Sequence, residues 1–258
     1  MINTQEILTE LQPFAEMTVG RATVGNLVFT SAQTLYSTGL IDITVAGTVN
    51  ANSEVDLFRS SIGSPGQGWG AAFSLTRSQT NLESADQGRM PANEVFIATH
   101  CATSVFKRNG NTGANTEQEN LIQSANLVNT ITNAFSIDVT IGDGITRNIG
   151  SLSAYPQHGG PWGQTPFNDP TAAGATTGYA RGPQNGCPCP GYVTKLPVPI
   201  VFAPNISVAI KAKCGSGFIV NVGVGPTPDP GAAADYLATT DYLGISMALQ
   251  GYLLTNPS

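Results

Sequence analysis

The chain has 258 residues, enough to bury a full core in one large β domain or two small ones. Only 11% of them are charged, against about 25% in an ordinary soluble domain, while Gly (29) and Pro (17) are plentiful. The net charge is −6, and the eleven Lys and Arg are scattered, with Lys107-Arg108 the only adjacent pair, which excludes a basic arm that neutralises phosphates.

The first residues, MINTQEILTELQPFAEM, carry acids and no basic stretch, so they do not read as a signal peptide, and synthesis in the cytoplasm is expected. No run of eighteen apolar residues offers a membrane span. Thr4 is a plausible N-cap for a short helix that places Ile7, Leu8, Leu11 and Phe14 along one stripe, and Pro13 limits its length. A helix this short needs a surface to dock on. That surface is either its own domain or the underside of an assembly: a neighbouring subunit, an inner protein layer or a lipid surface. Glu6, Glu10 and Glu16, with no Lys or Arg before residue 21, make phosphate contact repulsive. Residues 1–35 are therefore read as an arm and 36–258 as one β domain.

Residues 24–30 look like a first strand or an extended arm. Residues 40–45 alternate, with Ile41, Ile43 and Val45 on one face and Asp42 and Thr44 on the other, as in a half-buried strand. The loop 61–70 ends in G-Q-G-W-G-A, the outline of a dinucleotide fingerprint, but it opens no helix and no βαβ unit surrounds it. Residues 71–76 form the next expected strand. The stretch 80–107 then runs from turn formers (Asn81, Asp86, Gly88, Pro91, Asn93) into a β-branched and aromatic run over 94–106. Pro91 cannot donate to a ladder, so pairing is expected to begin after it. Both sides of this run are apolar, which predicts a strand covered on both faces.

Thr116 and Glu119 form a capping box for a helix ending near Thr132, with Leu121, Ile122, Ala125, Val128 and Ile131 on one stripe. Residues 135–141 alternate, with Ile137, Val139 and Ile141 expected inward. Gly142-Asp143-Gly144 signals a tight hairpin, and 145–152 return. Residues 155–192 are dense in Pro and Gly and have no clear period, too long for an ordinary loop. This irregular insertion holds Trp162 and Phe167, which need a partner surface, either the insertion itself or another subunit. Strands follow at 198–202, 206–211, 218–224 and 243–254, the last with Ile245, Met247 and Leu249 on one side. The count of about nine strands, one good helix and no repeat suits a jelly-roll β-sandwich. Ile43, Ile97, Val139, Val208, Val220 and Met247 are expected to share its core.

Catalytic constellations are lacking. His100 sits in the long strand and His158 in a turn, no G-x-S-x-G is present, and Ser216 in CGSGF pairs with neither histidine by pattern. The chain therefore does not read as an enzyme. Cys187 and Cys189, in CPCP, lack the spacing of a structural zinc site. Asp143, Asp169 and Asp229 sit in turns but match no calcium loop. No metal and no cofactor is expected, and Cys101 and Cys214 are read as buried free thiols. Asn205-Ile206-Ser207 fits a glycosylation acceptor by chance.

Three stretches carry a family resemblance. The segment TNL…MPANEVFIAT (80–99) resembles the TNM…LPAGQ-F-V segment of jelly-roll major capsid proteins of tailless icosahedral bacteriophages. AFSIDVTIGDGITRNIGSLSAYPQHGG (134–160) is similar to the hairpin that follows a helix in those proteins. YLGISMALQGYLL (242–254) resembles their closing strand, with Gln250 where that pattern has an acid. The resemblance implies a virion structural subunit that self-assembles into an icosahedral shell around a genome or an internal membrane. Its partners would be many copies of itself, vertex or minor capsid proteins and an internal lipid layer, without sequence-specific nucleic-acid binding. Ile7, Leu8, Leu11, Phe14, Trp162 and Phe167 would then make the inner-layer or inter-subunit contacts. The alternative is an extracellular carbohydrate-binding, lectin-like jelly roll, with Trp69 and Trp162 as stacking platforms.

Overall fold

The structure, a computed structural model, describes residues 28–43, 47–59, 77, 80–81, 89–108, 130–142, 144, 146–155, 193–204, 206–219 and 242–255. These residues form ten strands: β1 (Val28–Leu40), β2 (Thr48–Val49), β3 (Glu54–Leu57), β4 (Glu94–Arg108), β5 (Phe135–Ile141), β6 (Arg147–Ser151), β7 (Thr194–Phe202), β8 (Val208–Cys214), β9 (Phe218–Ile219) and β10 (Tyr242–Thr255). Helix among them is limited to one turn at 130–134 and the 3-10 turn Leu152–Ala154. Pairing is antiparallel throughout, in a four-stranded sheet of order β1-β10-β4-β7, a second of order β3-β8-β5-β6, and the small ladder β2-β9. The protein is all-β, in the arrangement of a sandwich.

One core joins the two large sheets. Leu35, Phe96, Cys101, Phe202, Ile245, Met247 and Leu249 from the first pack with Val55, Leu57, Phe135, Ile137, Val139, Val208 and Ile210 from the second. Phe202 sits between Phe58 and Phe96, with both ring centroids 6.0 Å away and tilted. Each fully buried aliphatic or aromatic side chain contributes roughly 1.5–3 kcal/mol before ordering costs. β10 shows why the sequence takes this form. Ile245, Met247 and Leu249 are fully buried, while Ser246 and Ala248 between them are half-buried, the two-residue period of a strand with one face on the core.

The sheets meet at a corner near the end of β1. Gly39 passes so close to β3 that a Cβ there would lie 2.7 Å from the Asp56 carbonyl oxygen. Beside it the Phe58 N–H donates to Ser37 Oγ at 2.9 Å, so the hydroxyl satisfies a backbone donor buried between the layers.

β4 is covered on both sides, as expected. Phe96 and Ala98 face the core, whereas Val95 and Ile97 are buried on the opposite side, where register sets them beside Leu254 and Val201. Pairing begins after Pro91, whose carbonyl accepts the Glu94 N–H at 3.0 Å. Ile43, Val139, Val208 and Met247 share the core, but Ile97 lies on the other face of its strand, and Val220 falls outside the described residues.

Several boundaries differ from the sequence reading. Residues 40–43 keep the expected burial, Ile41 and Ile43 in and Asp42 out, yet the strand stops at Leu40. A single bond, Ile41 N–H to the Leu243 carbonyl at 2.9 Å, continues the pairing. The first strand is instead β1, which spans 28–40 and so runs through position 35, where the arm was expected to end. Ile141, expected inward, is exposed, because it ends β5 beyond the sheet's cover. Val198 is 55% exposed between two prolines on β7, an edge strand among the described residues. Neither Pro197 nor Pro199 can donate, which blunts that edge. The hairpin 135–151 forms as expected, with Gly142 at φ 60 and the Gly144 N–H returning to the Ile141 carbonyl at 3.1 Å. Of the expected helix ending near 132, the described part is the turn at 130–134, where Ile131 is fully buried. The expected strand at 71–76 lies outside the described residues.

Candidate functional site

The sheet β1-β10-β4-β7 carries one irregularity at its centre. Gln250 and Gly251 are consecutive on β10, yet they face His100 and Ala98 on β4, so Thr99 is an extra residue in the ladder. This is a β-bulge, which re-aims the side chains around it. The register of β7 shifts at the same place: Ala98 faces Ile200 while His100 faces Lys195, so residues 196–199 stand opposite Thr99 alone. Gly251 is required here. A Cβ would run into the Ile97 carbonyl and approach the Ala98 Cα to 2.8 Å.

The bulge opens a cleft of ≈ 360 Å³ on the sheet, lined by Gln33, Thr34, Thr99, His100, Gln250 and Tyr252 among others. Thr99 Oγ1 lies 2.9 Å from His100 Nδ1 and 3.4 Å from the Gln250 carbonyl oxygen. A hydroxyl has one proton. When that proton goes to the carbonyl, the imidazole donates through Nδ1–H and Nε2 keeps its lone pair. Among the described residues, His100 meets a threonine and no carboxylate.

A second feature lies at the edge of the same sheet. Asn81 Oδ1 accepts the Tyr36 N–H at 2.8 Å, its Nδ2 donates to the Thr34 carbonyl at 2.7 Å, and its own N–H donates to the Tyr36 carbonyl at 3.2 Å. Among the described residues, Asn81 takes the place of a rung beside β1 and satisfies backbone groups on that edge. Asn81 belongs to the TNL segment singled out in the sequence.

The faces of the two large sheets differ in charge. β1 and β10 hold no Asp, Glu, Lys, Arg or His in 13 and 14 residues. Their outward side chains, such as Tyr36, Ser246 and Ala248, are half-buried hydroxyl, aromatic and methyl groups. The other sheet presents a charged ladder, with Asp56 facing Lys211, Lys211 facing Asp138, and Glu54 facing Lys213. Lys211 Nζ hydrogen-bonds the Glu54 carboxylate and lies 3.8 Å from Asp56 Oδ1. The bond holds the Glu54 carboxyl below its ordinary value and raises the lysine, both against a smaller opposing effect of burial. Such a face is suited to water.

The thiols of Cys101 and Cys214 are buried and form no disulfide; burial pushes Cys101 well above the ordinary thiol range and raises Cys214 against the opposing bond to the Ser216 carbonyl. Among the described residues, no three His, Cys, Asp or Glu gather as a metal site, and no helix is long and apolar enough to cross a membrane. The residues expected to make inter-subunit or inner-layer contacts, Ile7, Leu8, Leu11, Phe14, Trp162 and Phe167, lie outside the described residues, as do His158, Cys187 and Cys189. The bulge and the Asn81 rung were missed from sequence. A glycine inside an otherwise apolar strand, Gly251, was the available signal for the first. Neither a protein family, nor a curated protein, nor a solved structure matches the chain.

Proposed function

We propose that the chain is a jelly-roll subunit that assembles with copies of itself into a viral shell. Strand order supports the jelly roll. With the two-residue strands β2 and β9 set aside, the eight remaining strands, counted along the chain, lie in the orders 1-8-3-6 and 2-7-4-5. Pairs 1-8, 2-7, 3-6 and 4-5 are those of one long antiparallel ribbon folded over on itself, which is how two Greek keys make a jelly roll. Fold alone does not fix function, because lectin domains share this architecture.

The observation that carries the shell reading is the uncharged outer face of the neighbouring strands β1 and β10. A face with no Asp, Glu, Lys, Arg or His on two neighbouring strands has little to lose on being covered. The chain's 11% of charged residues and the three stretches similar to phage capsid proteins point the same way. Charge on this face tests the reading. Ala248→Lys, at the middle of β10, is expected to abolish assembly while far-UV circular dichroism stays that of the unmodified chain. Ala209→Lys, an exposed position on the charged sheet, is expected to assemble normally. Equal assembly of both variants, or of neither, refutes this placement of the contact.

A further inference from the structure

The geometry points to a binding site for a neutral saccharide in the cleft at the β4–β10 bulge. The cleft belongs to one chain and goes beyond shell assembly; it lies on the same outer face as Ala248, two residues before Gln250 on β10, so a saccharide and a neighbouring subunit compete for it. At ≈ 360 Å³ it falls at the small end of ligand sites, which run about 300–1,000 Å³. Bulges are over-represented at sheet edges and next to active sites, where they re-aim side chains. This bulge is locked, because Gly251 admits no side chain against the Ile97 carbonyl.

The lining sets the ligand class. Gln33 and Gln250 are exposed, and each offers a carboxamide with two donor hydrogens and one acceptor oxygen. Neither amide is engaged with another described residue. Hydroxyl groups on adjacent carbons, each both donor and acceptor, match that pattern. Tyr252 lies two residues beyond Gln250 on the same side of β10, about 7 Å along the strand, and supplies an aromatic ring for the C–H face of a pyranose. His100, held at Nδ1 by Thr99 Oγ1, offers Nε2 to a hydroxyl as acceptor in one tautomer and as donor in the other. Among the described residues, no Asp, Glu, Lys or Arg lines the cleft, so neither an anion nor a cation finds a counter-charge there. Lys195, the nearest charge in register, is exposed on β7 and is not part of the lining.

Saturation-transfer NMR on the full chain tests this with the methyl glycosides of glucose, galactose, mannose and N-acetylglucosamine, and with glycerol as a simple polyol. Transfer to at least one glycoside, well above that to glycerol, is expected. Gln33→Ala/Gln250→Ala should weaken binding about tenfold or more, since two ligand hydrogen bonds are lost. Gln250→Glu, which keeps the shape but loses the donor and adds a charge, should weaken it as well. All these positions are exposed, so melting curves matching the unmodified chain are expected to accompany the loss. No transfer to any of the four glycosides, transfer equal to that of glycerol, or transfer unchanged in both variants overturns the assignment.

Discussion

Ile97 and Ile137 make a matched pair, because both are 0% exposed but lie on opposite sides of the architecture. Ile137, on β5, points into the shared core; Ile97, on β4, is buried on the far side of its sheet with Val95, Val201 and Leu254. Truncation to Ala removes three carbons from each. At about 0.8 kcal/mol per buried carbon the transfer loss alone is roughly 2.4 kcal/mol, and the cavity left behind adds to it, so about 3–4 kcal/mol is expected for either variant. For a chain of this size that corresponds to a fall in melting temperature of about 6–15 °C. Urea unfolding followed by tryptophan fluorescence and circular dichroism measures the loss, with an unchanged slope as the sign that only stability moved. If Ile97→Ala costs under about 1 kcal/mol while Ile137→Ala costs the full amount, then the outer side of β4 is not sealed within one chain and the two-faced burial is wrong.

Asn81→Ala should cost about 1–3 kcal/mol, because two side-chain bonds to β1 vanish and the Tyr36 N–H loses its acceptor; loss under about 0.5 kcal/mol in the same urea assay would show that water replaces the amide freely. The Glu54–Lys211 bond lowers the folded-state carboxyl below 4.5, so its stabilisation is present above the unfolded value and lost as pH falls through the folded one. Both side chains are more than a third exposed, at 40% and 37%. Glu54→Gln should therefore flatten the acid limb of a stability–pH curve by only about 0.2–0.5 kcal/mol and leave the rest of the curve unchanged. A colorimetric thiol titration of the native chain should count the same number of fast-reacting groups before and after Cys101→Ala, since that thiol is buried and protonated; a drop by one would place it at an accessible surface.

Much of the fold was legible because its signals are local. Residues 135–151 announce themselves by alternation and a Gly-Asp-Gly turn, and β10 by a two-residue period that the structure keeps over Ile245, Met247 and Leu249. β1 was not legible beyond its first residues. Its stretch from Ser31 to Leu40 is largely Ser, Thr, Gln and Gly, with Leu35 the apolar side chain at its middle. It becomes a strand through its partner β10 and through Asn81, neither of which is close in sequence. Ile97 was assigned to the wrong face for a related reason. Strict alternation along β4 predicts that Ile97 and Cys101 share a side, but Thr99 is an extra residue and reverses the sides across it. The candidate cleft is a product of that reversal, and so it appears only once the register of three strands is known.

Shell formation is tested most directly by negative-stain electron microscopy of the purified full chain, concentrated without additives. The account predicts closed, regular particles of megadalton mass, sedimenting far ahead of any small oligomer. A uniform field of monomers or small oligomers at every concentration, from a chain whose circular dichroism reports folded β structure, would contradict it.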